Sequence, residues 1–168
     1  MNVISLNAHV AKKMNMNISV DVKVKLETMK QEDRELLFID LCGRVPYKVR
    51  MFEIEPINNI QSNLTLQSIS NKASVICITP SGGTIGSSID AFKPYLFPLS
   101  SMTEEQKEEI EDKLIFPSNS NGGWIEILYN DIYNIPFWFV DFCNKNHFDY
   151  RGLIEKGLAI DARGLNIY

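Results

Sequence analysis

Five consecutive positions hold the residue types from which acid–base chemistry is built: His147, Phe148, Asp149, Tyr150 and Arg151, within the stretch NKNHFDYRGLIEKGLA (144–159). The chemistry would be general-base catalysis, with the His147 imidazole taking a proton and Asp149 orienting the ring. Such a site also needs a nucleophile or an activated water, and the neighbouring sequence supplies no partner for one. Side chains two positions apart do not face each other on a helix. His9, the other histidine, lies in an N-terminal segment with no clear element of its own, which argues against a two-histidine metal site.

The same letters read more simply as two helix ends and a turn. Asp149 is placed to cap a short helix over 150–156 by accepting backbone N–H bonds. Gly157 would end that helix, with Leu158 folding back on Leu153 in a Schellman arrangement. His147 follows the preceding helix, where an imidazole meets free carbonyls, and Arg151 has Asp149 and Glu155 as carboxylate partners. We therefore assign His147, Asp149, Arg151 and Gly157 to a structural turn-and-cap cluster and name no catalytic residue. An enzyme using His147 and Asp149 is the alternative.

A second candidate is the glycine-rich TPSGGTIGSS (79–88). It has no G-K-[ST] ending and no G-x-G-x-x-G opening a helix, so neither nucleotide fingerprint applies. Successive backbone N–H groups in such a loop can still form an anion nest. Ser81, Gly82 and Gly83, with Lys72 and Lys93 nearby in sequence, are the candidate ligand contacts, although a hairpin turn is the preferred reading. The acids of EEQKEEIEDK (104–113) are spread around a helix and lack calcium-loop spacing, so they read as a solvated face. KPYLFP (93–98) reads as the exit from a sheet, with an exposed docking ledge as its rival. Trp138 and Phe142, four apart, read as core before they read as pocket. No metal and no cofactor are expected.

The elements that must position these residues follow from composition and period. A chain of 168 residues, 45% hydrophobic and 23% charged, is long enough to bury a core without staples. The 104–113 segment has six acids against two lysines and by itself accounts for the net charge of −4. The remainder is close to neutral, with no basic stripe for phosphates, so nucleic acid is not an expected partner, while a small basic pocket for a nucleotide stays open. Cys42, Cys77 and Cys143 have no CxxC spacing and sit in apolar runs, which predicts buried free thiols rather than a disulfide framework or a zinc site. No run has transmembrane length, and the N-terminus lacks a signal-type apolar core, so a cytoplasmic location is expected.

ISVDVKVKL (18–26) alternates apolar and polar residues and predicts a strand. Thr28 and Gln31 form a capping box before a helix over 29–42, whose apolar face is Leu36, Leu37, Phe38, Ile39 and Leu41. Strands are expected over 47–54, 63–70, 73–79 and 85–92, and their density suggests a small, strongly curved antiparallel sheet, with an SH3-like barrel as its closed form. Thr103 and Gln106 cap a second helix. PSNSNGG (117–123) is a loop, WIEILY (124–129) is ambiguous, and PFWFVDFCNKN (136–146) is a buried helix. The expected fold class is α+β, a curved antiparallel sheet with about four packed helices. Residues 1–28 form an N-terminal extension containing the amphipathic strand, and 29–168 form a single domain.

Three stretches together, DLCGRVPYKV (40–49), KPYLFPLSSMTEEQKEE (93–109) and NKNHFDYRGLIEKGLAIDA (144–162), resemble a group of uncharacterised proteins from Bacteroides and its phages and prophages. The resemblance spans about 29–168 and is weaker over 115–135. Members of that group begin near Met29, so residues 1–28 are either an extension or an early start; the regular alternation at 18–26 favours an extension. The resemblance assigns no catalytic or ligand residue. It implies a non-enzymatic accessory protein acting by binding in a bacterial host, with capture of a nucleotide-type defence signal as the sharpest form. A protein–protein interaction module or inhibitor docking on a host or phage protein is the alternative. The expected partner is thus a host protein or a small signalling molecule.

Overall fold

The computed structural model describes residues 29–54, 63–71, 74–113 and 135–168. The strand expected at 18–26, Thr28, Lys72, the 117–123 loop and WIEILY lie outside the described residues. Within them the fold is α+β, a mixed seven-stranded sheet with three α-helices. About four helices were expected.

Helix α1 spans Gln31–Arg44, with Glu32 and Asp33 in its first turn, where acids meet the positive end of the helix dipole. Its buried stripe is Leu37, Asp40, Leu41 and Arg44, a spacing of three, four and seven that repeats one helical face. The wide apolar face expected from the sequence is corrected here: Ile39 is 53% exposed, whereas Asp40 and Arg44 are fully buried. Two opposite charges one turn apart neutralise each other and take the inner face. Helix α2 spans Glu104–Glu111 and begins in a capping box. Gln106 N–H donates to the Thr103 hydroxyl at 3.3 Å, and Thr103 N–H to the Gln106 side chain at 2.9 Å. Helix α3 spans Phe137–Lys145 and follows Pro136, whose fixed φ suits a helix start. It buries Phe139, Phe142, Cys143 and Asn144. With Leu99, Met102, Ile110, Phe148 and Tyr150, the first three of these form one hydrophobic cluster.

The strands are β1 (Arg50–Glu53), β2 (Leu64–Asn71), β3 (Ser74–Ile78), β4 (Thr84–Ser88), β5 (Phe92–Pro98), β6 (Phe148–Asp149) and β7 (Ile160–Asp161). Their order is β4-β3-β2-β1-β5-β6, with β7 also pairing β5. Alternation buries Val75 and Cys77 of β3 and Phe92, Pro94 and Leu96 of β5. Strands β1 to β5 pair antiparallel, as the sequence suggested. Strands β6 and β7 pair with β5 in parallel, so the sheet is mixed. It is also open. Two register shifts bend β2 against β3, but among the described residues β4 pairs with β3 alone and no SH3-like barrel closes.

KPYLFP is not an exposed ledge: it is the body of β5, with β1 paired antiparallel and β6 and β7 in parallel. The strand expected at 85–92 is broken by a 3-10 turn at Ile89–Ala91. Prolines survive in β5 for a geometric reason. Ile54 N–H donates to Ala91 C=O, so in the Met51↔Pro94 pair the proline nitrogen points away from β1. Cys77 and Cys143 are buried, but Cys42 is exposed, correcting the expectation that all three are buried; all three are free. No helix among the described residues is long and apolar enough to cross a membrane.

Candidate functional site

Successive residues of a strand aim their backbone groups at opposite edges. Leu96 C=O accepts Ala162 N–H at 2.8 Å, and Phe97 N–H donates to His147 C=O at 2.9 Å. Strands β7 and β6 therefore lie on opposite edges of β5, both running in its direction. The chain leaves all three at their carboxyl ends: Leu99 and Ser100 after β5, Gly152, Ile154 and Glu155 after β6, and Arg163 after β7. These residues, with Pro98, Asp149 and Asp161, line one open groove of about 460 Å³.

Asp149 forms the groove's inner wall and is 5% exposed. Its Oδ1 accepts the N–H groups of Arg151 at 3.3 Å and Leu153 at 2.9 Å, and its Oδ2 accepts Ile154 N–H at 2.8 Å. Both oxygens are thus occupied by backbone. The segment 153–157 is a run of turns rather than a regular helix. It ends with Gly157 N–H on Ile154 C=O at 3.0 Å and Leu158 N–H on Leu153 C=O at 2.8 Å, the Schellman pattern, with Gly157 at φ +69° and Leu153 and Leu158 buried. The outer wall carries charge. Arg163 donates from Nη2 to Asp161 Oδ2 at 2.6 Å and from Nε at 2.9 Å, and these bonds hold the Asp161 carboxyl below its ordinary range. Glu155 and Ser100 are exposed.

Behind the inner wall lies a buried ionic cluster. Arg44 donates from Nε to Asp40 Oδ2 at 2.6 Å and from Nη2 to Asp40 Oδ1 at 3.0 Å, a two-pronged pairing. The same Nη2 reaches Phe148 C=O at 2.8 Å. Burial pulls the Arg44 pKa down, but the Asp40 charge and hydrogen bonds more than offset this and leave it raised. Arg151 does not take Asp149 or Glu155 as its side-chain partner. Its Nε donates to Tyr150 Oη at 3.1 Å and stands 3.6 Å from Asp40 Oδ1, with the guanidinium 4.8 Å over the Tyr150 ring. Sequence reasoning missed Asp40 and Arg44; their i, i+4 spacing was the available signal, but it is shared by countless surface pairs.

His147 has φ +59°, a left-handed conformation uncommon outside glycine. Its ring stacks on Tyr168 at 4.1 Å between centroids and 15° between planes. Burial first, and then the positive charges of Arg44 and Arg50, lower its pKa to about 4, so the ring is neutral at pH 7. No hydrogen bond joins His147 to Asp149, and His147 Nδ1 is buried with no hydrogen-bond partner. The two buried thiols, Cys77 and Cys143, are pushed up to about 12 by burial, which disfavours the thiolate. Among the described residues no three His, Cys, Asp or Glu side chains gather as a metal site.

The glycine-rich loop lies elsewhere. Ser81, Gly82 and Gly83 form the exposed turn between β3 and β4, closed by Thr79 N–H on Gly83 C=O at 2.8 Å and Gly82 N–H on Thr79 C=O at 2.9 Å. Lys93 sits on β5, three strands from β3, and is not brought to that turn. No protein-family model, curated protein or solved structure matches the chain.

Proposed function

We propose that the protein is a non-catalytic accessory binding protein of phage or prophage origin, holding a small nucleotide-type signalling molecule in the groove of Asp149, Glu155 and Arg163. The observation that carries this reading is the groove's place, at the carboxyl ends of three parallel strands, where open sheets with parallel strands offer their ligand crevices. The ligand contacts thereby move from the Ser81–Gly83 turn to this groove. Arg163 is the phosphate partner, exchanging Asp161 for a ligand oxygen. Glu155 is an acceptor for sugar hydroxyls, and Pro98, Leu99 and Ile154 supply apolar wall for a base. Asp149 holds the wall and takes no part in bond-making.

The test is mass spectrometry of small molecules released by denaturing protein purified from bacteria whose nucleotide-based defences are active. Wild-type protein should release a nucleotide-type molecule, and Arg163→Ala should release at least about tenfold less, as removal of a charge-assisted contact predicts. Release of nothing by either protein would sink the reading.

A second reading rests on a separate observation. Among the described residues, strand β4 ends the sheet order, pairing with β3 alone, and its residues alternate between exposed and half-buried. An open edge accepts a strand from another protein. Gly86→Pro would remove a backbone donor there; loss of a host or phage protein from pull-downs with that variant, and not with Arg163→Ala, would select docking over small-molecule capture.

A further inference from the structure

Among the described residues, three buried side-chain atoms have no hydrogen-bond partner: Arg44 Nη1, Asn144 Oδ1 and His147 Nδ1. Unpaired polar atoms of this kind are uncommon inside proteins, because each forfeits its hydration with nothing in return. They do not lie in three separate places. Asn144 C=O accepts His147 N–H at 3.3 Å, which ties the two residues into one turn at the end of α3. Arg44 Nη2 is bonded to the carbonyl of Phe148, the residue after His147. A Cβ placed on Gly43 would stand 2.8 Å from Asn144 Nδ2, so the Asn144 amide lies against the residue preceding Arg44. Glycine at 43 allows that approach. The residues that carry the orphaned atoms therefore meet where the end of α1, the end of α3 and the start of β6 come together, near enough for the Arg44 charge to act on the His147 ring.

We infer that this junction binds one internal water molecule, which accepts a hydrogen bond from Arg44 Nη1 and donates its two protons to Asn144 Oδ1 and His147 Nδ1. The stoichiometry fits. A water with three hydrogen bonds gives each of the three atoms one partner, and three is the usual number for a buried water. The charge fits as well. The two cations Arg44 and Arg151 are matched in number by the carboxylates of Asp40 and Asp149, so the site has no surplus charge calling for an ion. A neutral ligand that both donates and accepts completes the set. It also fixes the His147 tautomer, because Nδ1 must be the acceptor and Nε2 the proton carrier. Backbone and ring then have separate duties at His147: the left-handed φ turns the chain, and the imidazole closes the polar junction.

Oxygen-17 magnetic relaxation dispersion on the full chain counts water molecules held long inside a protein. Asn144→Leu, which removes one acceptor at similar volume, should lower that count by one. Nitrogen-15 NMR of the wild-type imidazole should show an unprotonated Nδ1 and a protonated Nε2. If the leucine variant fails to fold, a high-resolution crystal structure of the wild-type chain decides the matter by the density bridging the three atoms. An unchanged count in a folded Asn144→Leu variant, or a protonated Nδ1, would overturn the inference. So would a direct bond from Arg44 Nη1 to either acceptor, or an anomalous bromide peak at the junction after soaking, which would identify an anion site instead.

Discussion

The Asp40–Arg44 pair decides what kind of interior this protein has. A buried ion pair gives little net stability over an apolar replacement, because desolvation consumes most of the attraction, but breaking it leaves a lone charge inside. Asp40→Ala should therefore destabilise the fold by about 3–5 kcal/mol, whereas the double variant Asp40→Leu with Arg44→Met should recover most of that loss. Chemical denaturation of the three proteins checks this; a single variant costing under about 1 kcal/mol would mean that water reaches the Arg44 guanidinium. His147 makes a prediction in pH. Its folded pKa, lowered to about 4, lies below the unfolded value of about 6.5, so the unfolded chain binds the proton more readily between these limits. Its contribution is full above about pH 6.5, falls as the pH drops toward 4, and is lost below that. Urea denaturation at several pH values should show that slope, and His147→Asn, which tolerates positive φ, should flatten it.

At the scale of elements, the clearest wager concerns the wall of the groove. Asp149 satisfies three backbone N–H groups of the turn after β6, as an N-cap residue does for a helix. Asp149→Ala should cost about 1–2 kcal/mol, and Asp149→Asn less, since its amide oxygen still accepts. Gly157→Ala should cost about 1 kcal/mol, because alanine resists φ +69°. Equal stability of Asp149→Ala and wild type in thermal melts would refute this account of the turn. How well each element could be read from the sequence follows from whether its rule is local. Strand β3 shows its period of two within five residues, and α2 announces itself by Thr103 and Gln106 three apart. The 3-10 break at Ile89–Ala91 and the parallel pairings of β6 and β7 leave no such trace. A two-residue strand exists only through its distant partner, here about 50 residues away in β5 for β6, so the groove between β6 and β7 could not be read either. The charged face of α1 failed for a related reason: period alone does not say which side of a helix a paired Asp and Arg will take.

At the scale of the whole molecule, Tyr168 joins parts of the sheet far apart in sequence. The β1–β5 register runs Glu53↔Phe92, Phe52↔Lys93, Met51↔Pro94, and its next rung would set Arg50 opposite Tyr95. That rung is filled by the Tyr168 hydroxyl, which accepts Arg50 N–H at 3.1 Å and donates to Tyr95 C=O at 2.8 Å. Burial holds the phenol up at about 12, so it keeps its donor proton throughout the neutral range. The same ring covers His147 and leans on Phe97 at 5.7 Å. One side chain therefore holds β1 and β5 at a fixed spacing while sealing the junction behind the groove. Tyr168→Phe keeps the stacking and loses both hydrogen bonds, so the cost should be about 1 kcal/mol. Tyr168→Ala should cost more, speed amide exchange at Arg50, and raise the His147 pKa from about 4 toward its ordinary value as water reaches the ring. Nitrogen-15 NMR reads both effects in one titration series. Unchanged exchange at Arg50 in Tyr168→Ala would show that the ladder closes without the hydroxyl and that the wedge is not what sets the spacing between these strands.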